Sequence, residues 1–208
     1  MRRQITSPNV VQGFSPAGAH VAQAFRPAAR CTPKGLRYTC AAMILASATA
    51  FAQSPPARAT AAIGGKTVSI QYSAPSVRGR KIFGDGGLLS RDPTYPIWRA
   101  GANAATTFKT EAALDVGGMN VPAGTYTLYV NVKDPDQWEL VVSRQTGQWG
   151  LTYPGAASDV GRVKMTMSKP PALVEQLKYT VTDKGAGAGE LRLEWENHVA
   201  SVPLHVKQ

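Results

Sequence analysis

The chain has 208 residues, of which 43% are hydrophobic and 17% are charged, a composition typical of one globular domain or at most two. Its net charge of +10 is concentrated near the N-terminus, because residues 1–52 contain six Lys and Arg and no Asp or Glu. Residues 53–208 therefore carry a net charge of only +4, and we expect no nucleic-acid partner. Both cysteines, Cys31 and Cys40, lie in that N-terminal segment, which excludes a disulfide framework, a thiolate zinc site and a cysteine nucleophile from the rest of the chain.

The first 52 residues have the features of an export leader. Basic residues Lys34 and Arg37 precede a short apolar run that ends in Ala-Phe-Ala at residues 50–52, the pattern that signal peptidase recognises. The run is too short for a stable membrane anchor, so we expect no transmembrane segment in the mature chain and a periplasmic or secreted location. A buried N-terminal helix is the alternative, but it leaves the Ala-x-Ala pattern unexplained. The predicted organisation is a leader over 1–52 with a long disordered N-terminal region, a linker over 53–57 and a β-domain over 58–208.

A β-hairpin is predicted at the start of the mature segment. Residues 66–72 alternate between polar and apolar side chains, which is typical of a half-buried strand. The two glycines at 64–65 suit a tight turn, and they predict a partner strand over residues 58–63.

Short strand patterns continue to the end of the chain. They recur at spacings of about 8–12 residues, which indicates an all-β fold: a single antiparallel β-sandwich or barrel-like, jelly-roll-like domain. Residues 171–176 are compatible with one helical turn, and the run over 184–189 with a flexible hairpin tip. The further predicted strands are 105–109, 113–116, 119–121, 125–132, 138–143, 160–167, 177–181, 191–195 and 199–206.

Apolar side chains at alternating positions of these strands predict the core. Burial on one face of each strand is what the period of two implies. The residues expected to be buried are Val68, Ile70, Tyr72, Tyr126, Leu128, Val130, Trp138, Leu140, Val163 and Leu193.

Two long loops, over residues 74–95 and 144–158, interrupt the strands, and loops of this length are often functional. Cationic side chains gather in and after the first loop. Arginine forks bind carboxylates and phosphates, so these residues are candidates for binding a small anion or an acidic sugar. The alternative is that they brace the loop through its own carbonyls and carboxylates. The cationic candidates are Arg78, Arg80, Lys81 and Arg99.

Aromatic and amide side chains add three further candidates for this site. Trp98 is more typical of a core anchor than of a sugar platform, whereas Trp149 in the second loop is better suited to exposed stacking. Gly101 and Asn103 predict a tight turn, because both residue types tolerate positive φ. We expect Arg99 to converge with Arg78 or Arg80 near Asn103.

Catalytic and metal-binding patterns are weak. The mature histidines, His198 and His205, are an odd number of residues apart, which places them on opposite faces of a regular strand. The sequence has no G-x-S-x-G elbow and no glycine-rich phosphate loop, so we predict no catalytic residue, no metal and no cofactor. An enzyme of hydrolase type using Asp92 or Asp159 is the alternative function, and a structural envelope protein without a ligand is a third.

Three motifs resemble one family. The segments YSAPSVRGRKIFG (72–84), WRAGAN (98–103) with Thr106, and PAGTY (122–126) are similar to the bacterial domain-of-unknown-function family 2911. The similarity extends from about residue 54 to the end of the chain. The resemblance implies a single exported domain and brings no known activity, so it assigns no catalytic residue.

Overall fold

A computed structural model describes residues 53–207, which contain thirteen β-strands and two 3-10 turns. The leader, with its predicted cleavage pattern at 50–52, lies outside the described residues. In the described part, no helix has the length and apolar character needed to cross a membrane. The strands are β1 Pro56–Ile63, β2 Lys66–Ser73, β3 Ile97–Trp98, β4 Thr106–Thr110, β5 Leu114–Val116, β6 Met119–Val121, β7 Gly124–Asp134, β8 Gln137–Ser143, β9 Asp159–Lys164, β10 Thr166–Ser168, β11 Val174–Gly185, β12 Ala188–Glu196 and β13 His198–Val206.

The first hairpin forms as the sequence predicts. β1 and β2 pair antiparallel, with Ile63 opposite Lys66, so the turn consists of Gly64 and Gly65 alone. Both glycines have positive φ, 56° and 78°, which is the backbone of the two-residue turns that match the twist of paired strands. β1 starts at Pro56, slightly before the expected residue 58.

The strands form two antiparallel sheets that pack as a β-sandwich, which confirms the predicted fold class. The first sheet has the order β1-β2-β4-β7-β8-β9, with β3 added beside β7. The second has the order β11-β12-β13-β5-β6, with β10 added beside β13. Successive side chains along a strand point alternately toward the core and away from it, which is why a period of two in apolar residues predicts the fold.

The core lies between the sheets and contains most of the residues expected there. Eight of the ten predicted core residues are buried, and Trp138 is fully inaccessible. Tyr72 and Val163 are only half-buried. Tyr72 lies near the end of β2, and Val163 lies on β9, the last strand of the first sheet, so neither is covered on all sides.

The first long loop enters this core. Ile82 and Phe83 are buried, although they follow no strand periodicity. The Phe83 ring contacts four other rings, with centroid distances of 4.6 Å to Trp138 and 4.7 Å to His198. We call these five residues the aromatic cluster: Phe83, Trp98, Trp138, Trp195 and His198.

Two local predictions were wrong. The predicted strand over 160–167 is divided at Met165, because β9 pairs with β8 in the first sheet whereas β10 pairs with β13 in the second. The predicted helical turn over 171–176 is extended at its end, because β11 begins at Val174 and pairs with β12. In both places pairing with a distant strand determines the structure.

Candidate functional site

The turn after β3 is fixed by hydrogen bonds to its carbonyls. The carbonyl of Ala100 accepts one bond from the Thr106 hydroxyl and one from the Tyr179 hydroxyl, both at 2.9 Å. The Trp98 indole N–H donates to the carbonyl of Gly101 at 3.2 Å. These bonds hold Ala100 in the left-handed region at φ 55°, so Arg99 lies between two rigidly placed residues.

The glycine of this turn is required for space. Gly101 does not have the positive φ predicted for it, although Asn103 does, at 59°. A Cβ atom on Gly101 would lie 2.8 Å from the Thr106 hydroxyl oxygen and 3.3 Å from the carbonyl of Ser73. A larger residue would therefore displace the hydroxyl that bonds Ala100.

Arg99 lines a cavity of about 310 Å³. Its Nε and Nη1 are buried and have no hydrogen-bond partner in the described part of the chain. The indole Nε1 of Trp195, in the same wall, is also buried without a partner among residues 53–207. We call this cavity the Arg99 pocket; its walls are Pro75, Leu88, Leu89, Arg91, Asp92, Pro93, Trp98, Arg99, Gly101, Ala102, Leu151 and Trp195.

The electrostatic environment of Arg99 is unusual for an arginine in a pocket. Burial lowers the pKa of Arg99 below its ordinary value, and the negative charge of Asp92 partly opposes this. The guanidinium remains charged at neutral pH, because an arginine side chain is in practice always protonated. Within residues 53–207, however, Arg99 forms no ion pair, with Asp92 or any other carboxylate.

The other predicted cations lie elsewhere. Arg80 donates from Nε to the carbonyl of Val77 and from Nη2 to that of Ser76, and Lys81 donates to that of Asp85. These two side chains therefore brace the first loop through its own backbone. The Arg78 backbone N–H donates to the Glu175 carboxylate at 2.8 Å, which ties the loop to β11.

The walls of the Arg99 pocket contain few of the predicted site residues, and the expected convergence of Arg99 with Arg78 or Arg80 near Asn103 stays a prediction. Among the described residues that form its walls, Trp98 and Arg99 are the only two of the predicted site residues. Arg78, Arg80, Lys81, Asn103 and Trp149 are absent from them.

The second long loop docks beside the pocket. The carbonyl of Asn103 accepts a bond from the N–H of Gly150, and Ala104 forms an isolated β-bridge with Trp149. The Trp149 side chain is 71% exposed, as expected for a stacking platform, although the residue forms no part of the pocket wall. Leu151, two residues further on, contributes to that wall and is 44% exposed.

Asp159 belongs to a separate polar cluster. Its Oδ2 accepts bonds from the Tyr153 hydroxyl at 2.8 Å and from Arg162 at 3.1 Å. Tyr129 packs against Tyr153, and its hydroxyl donates to the carbonyl of Thr152. Burial, together with the charge of Asp159, raises the pKa of Tyr129 to about 12. These contacts fasten the end of the second loop to the first sheet and leave both tyrosines as neutral donors.

Several wall residues were missed by the sequence reasoning. Leu88, Asp92 and Leu151 come from the two long loops, and Trp195 comes from β12 far along the chain. Asp92 was considered only as a catalytic or bracing carboxylate. The length of the two loops is the feature of the sequence that indicates a functional site. Loop length alone does not predict which side chains line the same pocket.

Comparison with known proteins gives one match. A family model described as "Protein of unknown function (DUF2911)" matches residues 54–204, well over half of the chain. Neither a curated protein nor a solved structure matches.

Proposed function

We propose that this chain, which belongs to the DUF2911 family of proteins of unknown function, is an exported binding protein for a small organic anion. The observation that carries the proposal is Arg99, a half-buried arginine in the wall of the pocket that forms no ion pair with a carboxylate of residues 53–207. An unsatisfied buried donor costs about 1–3 kcal/mol, and more when it is charged. Because Nε and Nη1 point to opposite sides of the guanidinium, a bound carboxylate or phosphate would pair in the bidentate geometry that arginine favours with Nη2 and only one of them.

The walls of the pocket favour an anion that carries an apolar body. Most wall residues are aliphatic or aromatic, including Leu89, Trp98 and Trp195. Loops that present such walls from a rigid sheet are a common setting for ligand binding. A saccharide would need an acidic group to use Arg99, because a neutral sugar requires more polar partners than these walls provide.

The alternative functions have less support. A hydrolase would need convergent carboxylates, but Asp92 lies at the Arg99 pocket whereas Asp159 is bound to Tyr153 and Arg162. A structural protein without a ligand has no specific observation in its favour among residues 53–207.

Substitution of Arg99 by methionine tests the binding proposal. Methionine keeps an apolar stem of similar length but removes the charge, so it should abolish the rise in Tm that 3-phenylpropionate causes in the wild type. Because Arg99 has no protein partner to lose among the described residues, and the substitution removes two buried donors without a partner, the free energy of unfolding without ligand should stay the same or rise.

Arg58→Met is the matched control, since Arg58 is an exposed arginine on β1 away from the pocket walls. It should leave the ligand-induced rise in Tm unchanged. An equal loss of the response in both variants would show that the probe responds to surface charge, and the proposal would then be wrong.

Export is tested by the processed N-terminus. Expression in a host with a general secretory pathway should release a mature protein that begins at Gln53, because cleavage follows the Ala-x-Ala pattern. N-terminal sequencing of the periplasmic fraction provides the measurement. Ala52→Leu should block the cleavage, and soluble wild-type protein that retains residues 1–52 would contradict export.

A further inference from the structure

The Arg99 pocket contains two opposite charges that do not pair. Arg99 and Asp92 both form its walls, yet they form no ion pair with each other. Opposite charges attract each other even where water partly screens them, as at these two half-buried residues, so their separation requires a structural cause.

The first loop supplies that cause, because it holds the Asp92 carboxylate in place. Oδ1 accepts a bond from the Thr94 N–H at 2.9 Å and a second from the Thr94 hydroxyl at 2.7 Å. The backbone around it is also fixed, since the Asp92 N–H donates to the carbonyl of Leu89 and its carbonyl accepts from Tyr95. No described residue donates a hydrogen bond to Oδ2.

We infer that the Arg99 pocket binds a zwitterion, an apolar α-amino acid whose carboxylate lies on Arg99 and whose ammonium group lies on Asp92. This inference rests on the proposed function and narrows its ligand class. A simple anion would satisfy Arg99 but place its charge near an uncompensated carboxylate, and a simple cation would do the reverse. A ligand with both groups satisfies both, and its side chain packs against Leu89, Trp98 and Trp195.

The size of the cavity agrees with a single amino acid. At about 310 Å³ it lies at the lower end of the usual range for ligand pockets, which is enough room for a single amino acid.

The test compares three probes that differ only in their charged groups. Calorimetry on the full mature chain uses L-phenylalanine, 3-phenylpropionate, which lacks the ammonium group, and phenethylamine, which lacks the carboxylate. L-Leucine with 4-methylpentanoate repeats the comparison for a smaller side chain. The amino acid of each pair should bind the wild type about tenfold more tightly than its deaminated analogue.

Asp92→Asn isolates the role of the carboxylate. Asparagine keeps an oxygen that accepts both bonds from Thr94, so the loop is retained while the charge is lost. This variant should lose the preference for the amino acid and should bind 3-phenylpropionate at least as well as the wild type does. Arg99→Met should bind none of the carboxylates.

The outcomes separate the two proposals. The zwitterion proposal is wrong if 3-phenylpropionate binds the wild type as tightly as L-phenylalanine does, or if Asp92→Asn keeps the preference for the amino acid. The proposal of an organic-anion site is unaffected by either result. If no carboxylate of either pair binds, both proposals are wrong.

Discussion

Replacement of Trp138 by alanine is expected to destabilise the sandwich by about 3–5 kcal/mol. The indole is fully inaccessible on β8, and it contacts the rings of Phe83 and His198, the latter in a stacked arrangement at 5.2 Å. Its loss leaves a cavity between the sheets, which the aromatic cluster cannot close because its members are held by separate strands and by the first loop. Chemical denaturation followed by circular dichroism measures the loss without depending on the fluorescence of the deleted ring.

Two variants control this experiment. Trp149→Ala removes an indole that is 71% exposed and should change the free energy of unfolding by less than about 0.5 kcal/mol. Trp138→Phe keeps part of the ring volume and removes an N–H that is buried without a partner in the described residues, so its cost should be well below that of alanine. A loss below about 1 kcal/mol for Trp138→Ala would show that the ring is not packed as described.

The features that the sequence predicts best are those that local physics determines. The hairpin at Gly64 and Gly65 needs only alternating side chains on both strands and two residues that accept positive φ. The burial of Leu128, Val130 and Leu140 follows in the same way, since a strand with one apolar face has only one way to bury it.

Features that depend on distant parts of the chain could not be predicted. Nothing near Met165 indicates that β10 leaves the first sheet, because the strand that β10 pairs with is β13, near the end of the chain. Likewise, Ile82 and Phe83 lie in a glycine-rich loop that has no periodicity of apolar residues. They are buried because this loop forms hydrogen bonds with β11 and places Phe83 within the aromatic cluster.

The candidate site was predicted in part for the same reason. The concentration of arginines indicated the right region. The sequence does not distinguish Arg80, which donates to carbonyls of its own loop, from Arg99, whose Nε and Nη1 have no partner among residues 53–207. That difference arises from the turn around Ala100, whose carbonyl is held by Thr106 and Tyr179. The second charged residue, Asp92, lines the same pocket as Arg99 only because the first long loop folds back.

Glu196→Ala is expected to destabilise the protein by about 2–3 kcal/mol, because it removes the hydrogen bond that holds the first loop in the core. The buried Glu196 carboxylate accepts the N–H of Ile82 at 2.8 Å through Oε1, and no other acceptor replaces it when the side chain is truncated. Glu196 has a φ of 55°, and alanine at this position has the same backbone strain. The difference in free energy of unfolding between the wild type and Glu196→Ala therefore reports the side chain alone. The measurement is made at pH 8. Burial lowers the pKa of His198, whose Nδ1 lies 3.3 Å from Glu196 Oε2, so the imidazole is neutral there and the truncation strands no charge.

Two further variants distinguish the loss of the hydrogen bond to the Ile82 N–H from a general effect of removing a negative charge. Glu190→Ala removes a carboxylate from the same strand whose pair with Lys184 is partly exposed, and it should cost less than about 1 kcal/mol. Glu196→Gln retains an oxygen for the Ile82 N–H, so it should recover most of the stability and, by NMR, the slow hydrogen exchange of that amide. If glutamine is as damaging as alanine while the Ile82 amide stays protected, the contribution of Glu196 comes from its charge, and the first loop is held by Ile82 and Phe83 packing alone.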